Sequence, residues 1–165
     1  MQIRAALFAA LMEVCAWISI PVGHIAFTMQ TFGVFLALFV LGGKWGTASI
    51  FVYLLLGAVG LPVFSGFQGG LGVLLGVTGG YLWGFAATGL IYWSFEKLWK
   101  PIGVILGLLA CYTLGSFWFC LYSGGASFGA AVASCVIPYV IPDVGKLYLA
   151  WVCGRRIQNE LARNG

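Results

Sequence analysis

"TMQTFGVFLALFVLGGKWGTASIFVYLLLGAVG", residues 28–60, is apolar along nearly its whole length and carries one charge, Lys44. A charge in the middle of a bilayer is expensive, so Lys44 belongs at a membrane surface. The stretch therefore reads as two short spans, residues 28–41 and 46–60, with the lysine between them. Continuous apolar runs favour helices over the alternating pattern of a barrel strand. Both runs are shorter than the roughly 20 residues of a standard span, so they sit with little tilt or in a locally thinned bilayer.

The rest of the chain agrees. Of 165 residues, 62% are hydrophobic and 7% charged, where soluble proteins carry about 25% charged residues. Mean hydropathy is +1.04. Lipid is the solvent such a surface needs. Four further spans read as residues 3–20, 79–95, 102–122 and 142–151 with flanks. Residues 66–77 are too short and glycine-rich for a span and read as a surface loop or re-entrant piece. Residues 123–139 either begin the last helix early or form a small helix of their own. Residues 3–20 read as a span and not as a cleaved leader, because Glu13 interrupts the run and no A-x-A site follows.

Lysine and arginine set the orientation. With six spans, Arg4, Lys44, Lys97, Lys100, Arg155, Arg156 and Arg163 all fall on one side, the cytoplasmic one, with both termini. The expected architecture is one all-α, six-span domain over residues 1–165.

One basic residue of the eight is left over, Lys146. Three residues before it stands Asp143, and on a helix that spacing puts both on one face. Pro142 suits a first helical turn, which would place the pair at the outer end of the last span, where a helix N-terminus favours a carboxylate. Ionisable groups in a membrane are functional by default, with the bland alternative a self-neutralised ion pair. Glu13, near mid-membrane, reads as a hydrogen-bonded or protonated core acid, with a site or coupling role as the alternative. His24 reads as an interfacial loop residue. The cysteines 15, 111, 120, 135 and 153 show no metal-like spacing, and a disulfide between Cys120 and Cys135 is open. Ala5 and Ala9, and Ala6 and Ala10, are small-xxx-small pairs, fit for close helix contact within the chain or with a partner. No nucleophile–base–acid set and no nucleotide loop occurs. The chain does not read as an enzyme, uses no cofactor, and has no feature for nucleic acid. Any energy for uphill transport comes from an ion gradient or a partner chain.

Three stretches, residues 27–46, 53–85 and 141–150, together resemble the BioY family, the biotin-specific substrate-binding (S) components of energy-coupling-factor (ECF) vitamin transporters. The residues that carry the resemblance are T-x-Q-T-F from Thr28, G-x-x-G-L-P-V-F from Gly57, T-G-G-Y from Thr78 and D-x-x-K from Asp143. The resemblance implies a six-helix protein of a prokaryotic plasma membrane that captures biotin from outside and pairs with a scaffold membrane protein and two ATPases, or works without a dedicated module; self-association is open. It implies that Asp143 and Lys146 contact biotin, and that the alanine-rich first helix, with Ala5, Ala6, Ala9 and Ala10, meets the scaffold.

Biotin has two ureido N–H donors, a ureido carbonyl, an apolar bicycle and a carboxylate. Asp143 suits the N–H donors, and Lys146 the carbonyl or carboxylate. Thr28, Gln30, Gln68 and Thr78 suit neutral hydrogen bonds. Tyr81, Trp83 and Phe67 suit the apolar walls, with Tyr139 near the pair and Gly79 and Gly80 letting backbone approach the ligand. Val77 stands where the family usually has proline. An arginine found in the fourth helix of some members has no counterpart here, which shifts carboxylate recognition toward Lys146, hydroxyls and backbone N–H groups. Another small vitamin, or a structural membrane protein without a ligand, are the alternatives.

Overall fold

The computed structural model describes residues 1–22, 25–124 and 127–163; His24 lies outside them. The order is α1 (Gln2–Trp17), β1 (Ser19–Val22), β2 (Ile25–Thr28), α2 (Gln30–Ala58), a 3-10 turn (Ser65–Phe67), α3 (Leu71–Leu74), α4 (Gly79–Phe95), α5 (Lys100–Tyr122), α6 (Phe128–Cys135) and α7 (Ile137–Arg163).

The α2 segment is two helices, broken at Gly42, whose φ of 78° and ψ of 175° lie outside the helical region. Glycine reaches that conformation without the steric cost other residues incur. The chain reverses there. Gln30 Nε2 donates to Tyr53 Oη at 2.6 Å across 23 residues, a separation of about 34 Å on a straight helix. The Glu96 carboxylate accepts from Gly43 N–H at 2.8 Å and so caps the second arm. The predicted pair of short spans around Lys44 is thus a helical hairpin, and the six segments α1, the two arms of α2, α4, α5 and α7 form the bundle. α5 and, taken as one span, the α6–α7 pair, which bends by 47°, are long and apolar enough to cross a membrane, whereas each arm of α2 is shorter than a standard span.

Lipid tails are as apolar as leucine, so helices in a bilayer associate by close packing and internal hydrogen bonds. α4 and α5 do this with glycine. A Cβ on Gly84 would stand 2.9 Å from Cys111 Cα, and one on Gly107 3.0 Å from Thr88 Cα. Thr88 Oγ1 reaches two carbonyls, Gly84 O and Gly107 O, each at 2.9 Å, tying the helices together. Gly80 and Gly115 receive Trp118 and the Tyr81 ring in the same way.

α1 divides its alanines. Ala5 and Ala9 are buried against α2, where Ser49 Oγ donates to Ala5 O at 2.7 Å. Ala6 and Ala10 face outward and are exposed. Ala5 and Ala9 therefore serve packing within the chain and not an outward face, and only Ala6 and Ala10 are left on the outside, because residues one apart on a helix are about 100° apart. Glu13 is half-buried on α1, with no hydrogen-bond partner among the described residues.

The segment after α1 is a β-hairpin with Ser19 paired to Thr28. The loop after α2 is pinned to α1 by Trp17 Nε1, which donates to Pro62 O at 2.9 Å. Residues 66–77 form a loop with the short α3, not a span. α6 is the small separate helix that the sequence left open, started by Ser127, whose Oγ accepts from Ala130 N–H. α7 then begins at Ile137, and Pro142 lies inside it. This corrects the expected start at Pro142: Asp143 sits in the second turn, out of reach of the free N-terminal N–H groups.

Candidate binding site

A cavity of about 480 Å³ opens between the β-hairpin, the loop after α2 and the outer halves of α2, α4, α5 and α7. Its polar end is built on Asp143 and Lys146, which are only 4% and 5% exposed. Their ion pair spans 2.8 Å from Lys146 Nζ to Asp143 Oδ1. A buried pair is costly unless its remaining valences are met, and here they largely are. Asp143 Oδ1 also accepts from Thr31 Oγ1 at 2.9 Å, and Oδ2 from Tyr112 Oη at 2.7 Å. Lys146 Nζ donates to Thr28 O at 2.7 Å and lies 4.0 Å from the centre of the Phe27 ring, a cation–π contact. A carboxylate can accept about four hydrogen bonds, and the described residues supply three donors, which leaves one acceptor position on Oδ2 for a ligand.

A second chain of hydrogen bonds fixes the wall beside the pair. Thr28 Oγ1 donates to Gln30 Oε1 at 3.0 Å, and Tyr53 Oη passes Gln30's contact on to Val63 O at 3.1 Å. It joins the hairpin, both arms of α2 and the following loop. The remaining lining is mostly apolar and aromatic, with Phe64, Leu82 and Phe85 prominent. Tyr81 also lines it, and its hydroxyl and that of Ser116 have no hydrogen-bond partner among the described residues.

Of the residues expected at the site, Asp143, Lys146, Thr28, Gln30, Gln68 and Thr78 line the cavity, as do Tyr81 and Tyr139. Four others do not. Gly79 and Gly80 are buried, with α3 and Trp118 against them, so their missing side chains serve helix packing. Trp83 is 43% exposed on the opposite side of α4, since two residues turn a helix by about 200° and Tyr81 already faces inward. Phe67 is 63% exposed, turned out by its left-handed φ of 57° and packed on Trp17 with ring centres 5.1 Å apart. Phe85, one turn beyond Tyr81, and Phe64 take the expected wall positions.

Thr31 and Tyr112 were missed. Thr31 stands inside the same T-x-Q-T-F motif that flagged Thr28 and Gln30, in the first turn of α2. Tyr112 carried a weaker signal: a phenol in mid-span needs a hydrogen-bond partner. All five cysteines are free thiols, and Cys111 and Cys135 line the cavity. Among the described residues no group of three potential metal ligands occurs. The arrangement suits reversible capture of a small molecule with hydrogen-bond donors at one end and an apolar body. Cavities for such ligands run to about 300–1,000 Å³.

Comparison with known proteins follows this geometry. A sequence model of the BioY family matches residues 1–163. The chain is 42% identical over 161 residues to a protein of Thermotoga maritima described as the biotin transporter BioY, covering 94% of each chain. It is 39% identical over 155 residues to a probable biotin transporter BioY of Pyrococcus horikoshii, again covering 94% of each. Its fold matches the crystal structure of the S-component for biotin from an ECF-type ABC transporter with a TM-score of 0.85 and 26% identity, over 95% of this chain and 89% of that one. The chain belongs to the BioY family.

Proposed function

We propose that this protein captures biotin at the outer face of the plasma membrane and delivers it into the cell, as the substrate-binding component of a transporter. The observation that carries this reading is the Asp143 carboxylate, buried at the polar end of a mostly apolar cavity with an acceptor position to spare. A ureido N–H meets that need. Asp143 would repel the ligand's carboxylate, so the bicycle enters first and the carboxylate stays nearer the mouth. The Lys146 charge is already shared between Asp143 and Thr28 O. It is left to polarise the ureido carbonyl, while Gln68, Ser65 and Thr78 offer neutral donors farther out.

Uptake needs energy that the chain does not itself draw from a nucleotide. The family reading supplies a scaffold membrane protein and ATPases, and the exposed Ala6–Ala10 pair on α1 is the face where another helix can approach closely. The basic end of the bundle lies toward the cytoplasm.

The test is binding of labelled biotin by the detergent-purified protein, with other vitamins and with desthiobiotin as competitors. Sub-micromolar affinity is expected, with displacement by desthiobiotin, which keeps the ureido ring. No binding below micromolar, or displacement by an unrelated vitamin at equal concentration, overturns the reading.

A further inference from the structure

A second cavity, of about 580 Å³, opens between α5 and α7 in the half of the bundle away from the biotin site. Its α7 wall is a helical stripe: Val144, Leu147 and Tyr148, Trp151, then Arg155. Its α5 wall runs from Lys100 and Pro101 to Val104 and Ile105. Both cations are at the same end and exposed, and the remainder is largely apolar, with Gln158, whose amide donates to Phe39 O, beside Arg155. From Arg155 to Val144 the stripe is about 16 Å long, the scale of an acyl segment lying along the helices.

Three observations converge at the charged end. Lys100 and Arg155 flank it, and Arg155 is held over the Trp151 ring at 4.9 Å. Lys100 opens α5, a helix of 23 residues whose N-terminus has no side-chain cap, so its free N–H groups add partial positive charge. Tyr92, fully buried, lines the cavity, and its hydroxyl has no hydrogen-bond partner among the described residues. An anion attached to an apolar chain complements all three. We infer that this groove holds one anionic phospholipid of the cytoplasmic leaflet, its phosphate between Lys100 and Arg155 and one acyl chain along Val144–Trp151. Basic pockets between membrane helices on this side recognise such headgroups.

The experiment is native mass spectrometry of the full-length protein in detergent, after addition of phosphatidylglycerol or phosphatidylcholine at equal concentration. One retained phosphatidylglycerol per chain is expected, with much less phosphatidylcholine. Lys100→Gln and Arg155→Gln, at exposed positions, each weaken phosphatidylglycerol retention by about fivefold and weaken phosphatidylcholine retention less, since its choline already offsets the phosphate charge. Ile105→Trp, also exposed, fills the apolar groove and lowers retention of both. Excess glycerol 3-phosphate does not displace the lipid, because the tail supplies part of the affinity. Equal retention of the two lipids by the wild type overturns the inference, as does an unchanged preference in the double glutamine variant or a full lipid complement in Ile105→Trp. So do displacement by glycerol 3-phosphate and a lipid-free dimer that Ile105→Trp dissociates; the latter would assign the groove to a second copy.

Discussion

Tyr112 donates its hydroxyl to Asp143 Oδ2 at 2.7 Å, while Lys146 and Thr31 both donate to Oδ1. The carboxylate is thus held from α5, α7 and α2 at once, and its orientation is set before any ligand arrives. Preorganisation of this kind lowers the ordering cost of binding.

Tyr112→Phe tests that role. It keeps the ring that lines the cavity and removes one hydrogen bond to a charged group, worth about 1.5–3 kcal/mol. Biotin affinity should fall by about tenfold or more, with the fold intact by thermal unfolding. The measurement is a binding isotherm with labelled biotin. Unchanged affinity would show that Oδ2 is not oriented by Tyr112 for the ligand.

The ion pair separates binding from stability through a double-mutant cycle. Lys146→Met leaves a buried carboxylate without its cation, and breaking a buried pair from one side costs about 3–5 kcal/mol. Asp143→Asn combined with Lys146→Met removes both charges together, so the double variant should unfold at a higher temperature than Lys146→Met alone. Neither should bind biotin. A double variant less stable than both single ones would mean that the pair is a net stabiliser.

At the opposite end of the bundle, Glu96 ties α4 to the reversal in α2 through Gly43 N–H. Glu96→Ala removes both a cap and a charge at a helix N-terminus, together worth about 1 kcal/mol. The melting temperature should drop while biotin affinity stays as in the wild type, since the site lies at the far ends of these helices. A loss of affinity at unchanged stability would reveal coupling between the reversal and the pocket.

These sites also show what the sequence could and could not carry. Lys44 between two apolar runs was enough to predict a break between residues 41 and 46, which the structure makes at Gly42, because charge and lipid thickness act along the chain. The Asp143–Lys146 pair was legible for the same reason: i,i+3 spacing is local, and burial in lipid leaves a charge few other partners. What failed was direction. T-G-G-Y marked the right segment, yet Gly79 and Gly80 turned out to seat α3 and Trp118, and only Thr78 and Tyr81 face the cavity. Membrane helices that are apolar all round leave no amphipathic stripe to show which side faces inward, so Trp83 and Phe85 could not be told apart. Tyr112 on α5 and Asp143 on α7, 31 residues apart, meet only where the fold brings both helices to the same cavity.

α1 yields the sharpest contrast, since neighbouring alanines have opposite surroundings. Ala9 is 1% exposed and packed within the core, whereas Ala10 faces outward. Ala9→Leu forces three extra carbons into a filled space, and overpacking costs about 1–3 kcal/mol. It should lower the melting temperature and weaken biotin binding with it. Ala10→Leu adds the same atoms to a lipid-facing surface and should change neither. If the Ala6–Ala10 pair is where a partner helix docks, Ala10→Leu should instead cut biotin uptake by cells that supply the partner, and pull-down of the scaffold protein should fall in parallel. Uptake by Ala10→Leu equal to the wild type, with normal recovery of the scaffold, would move the partner interface to another face of the bundle.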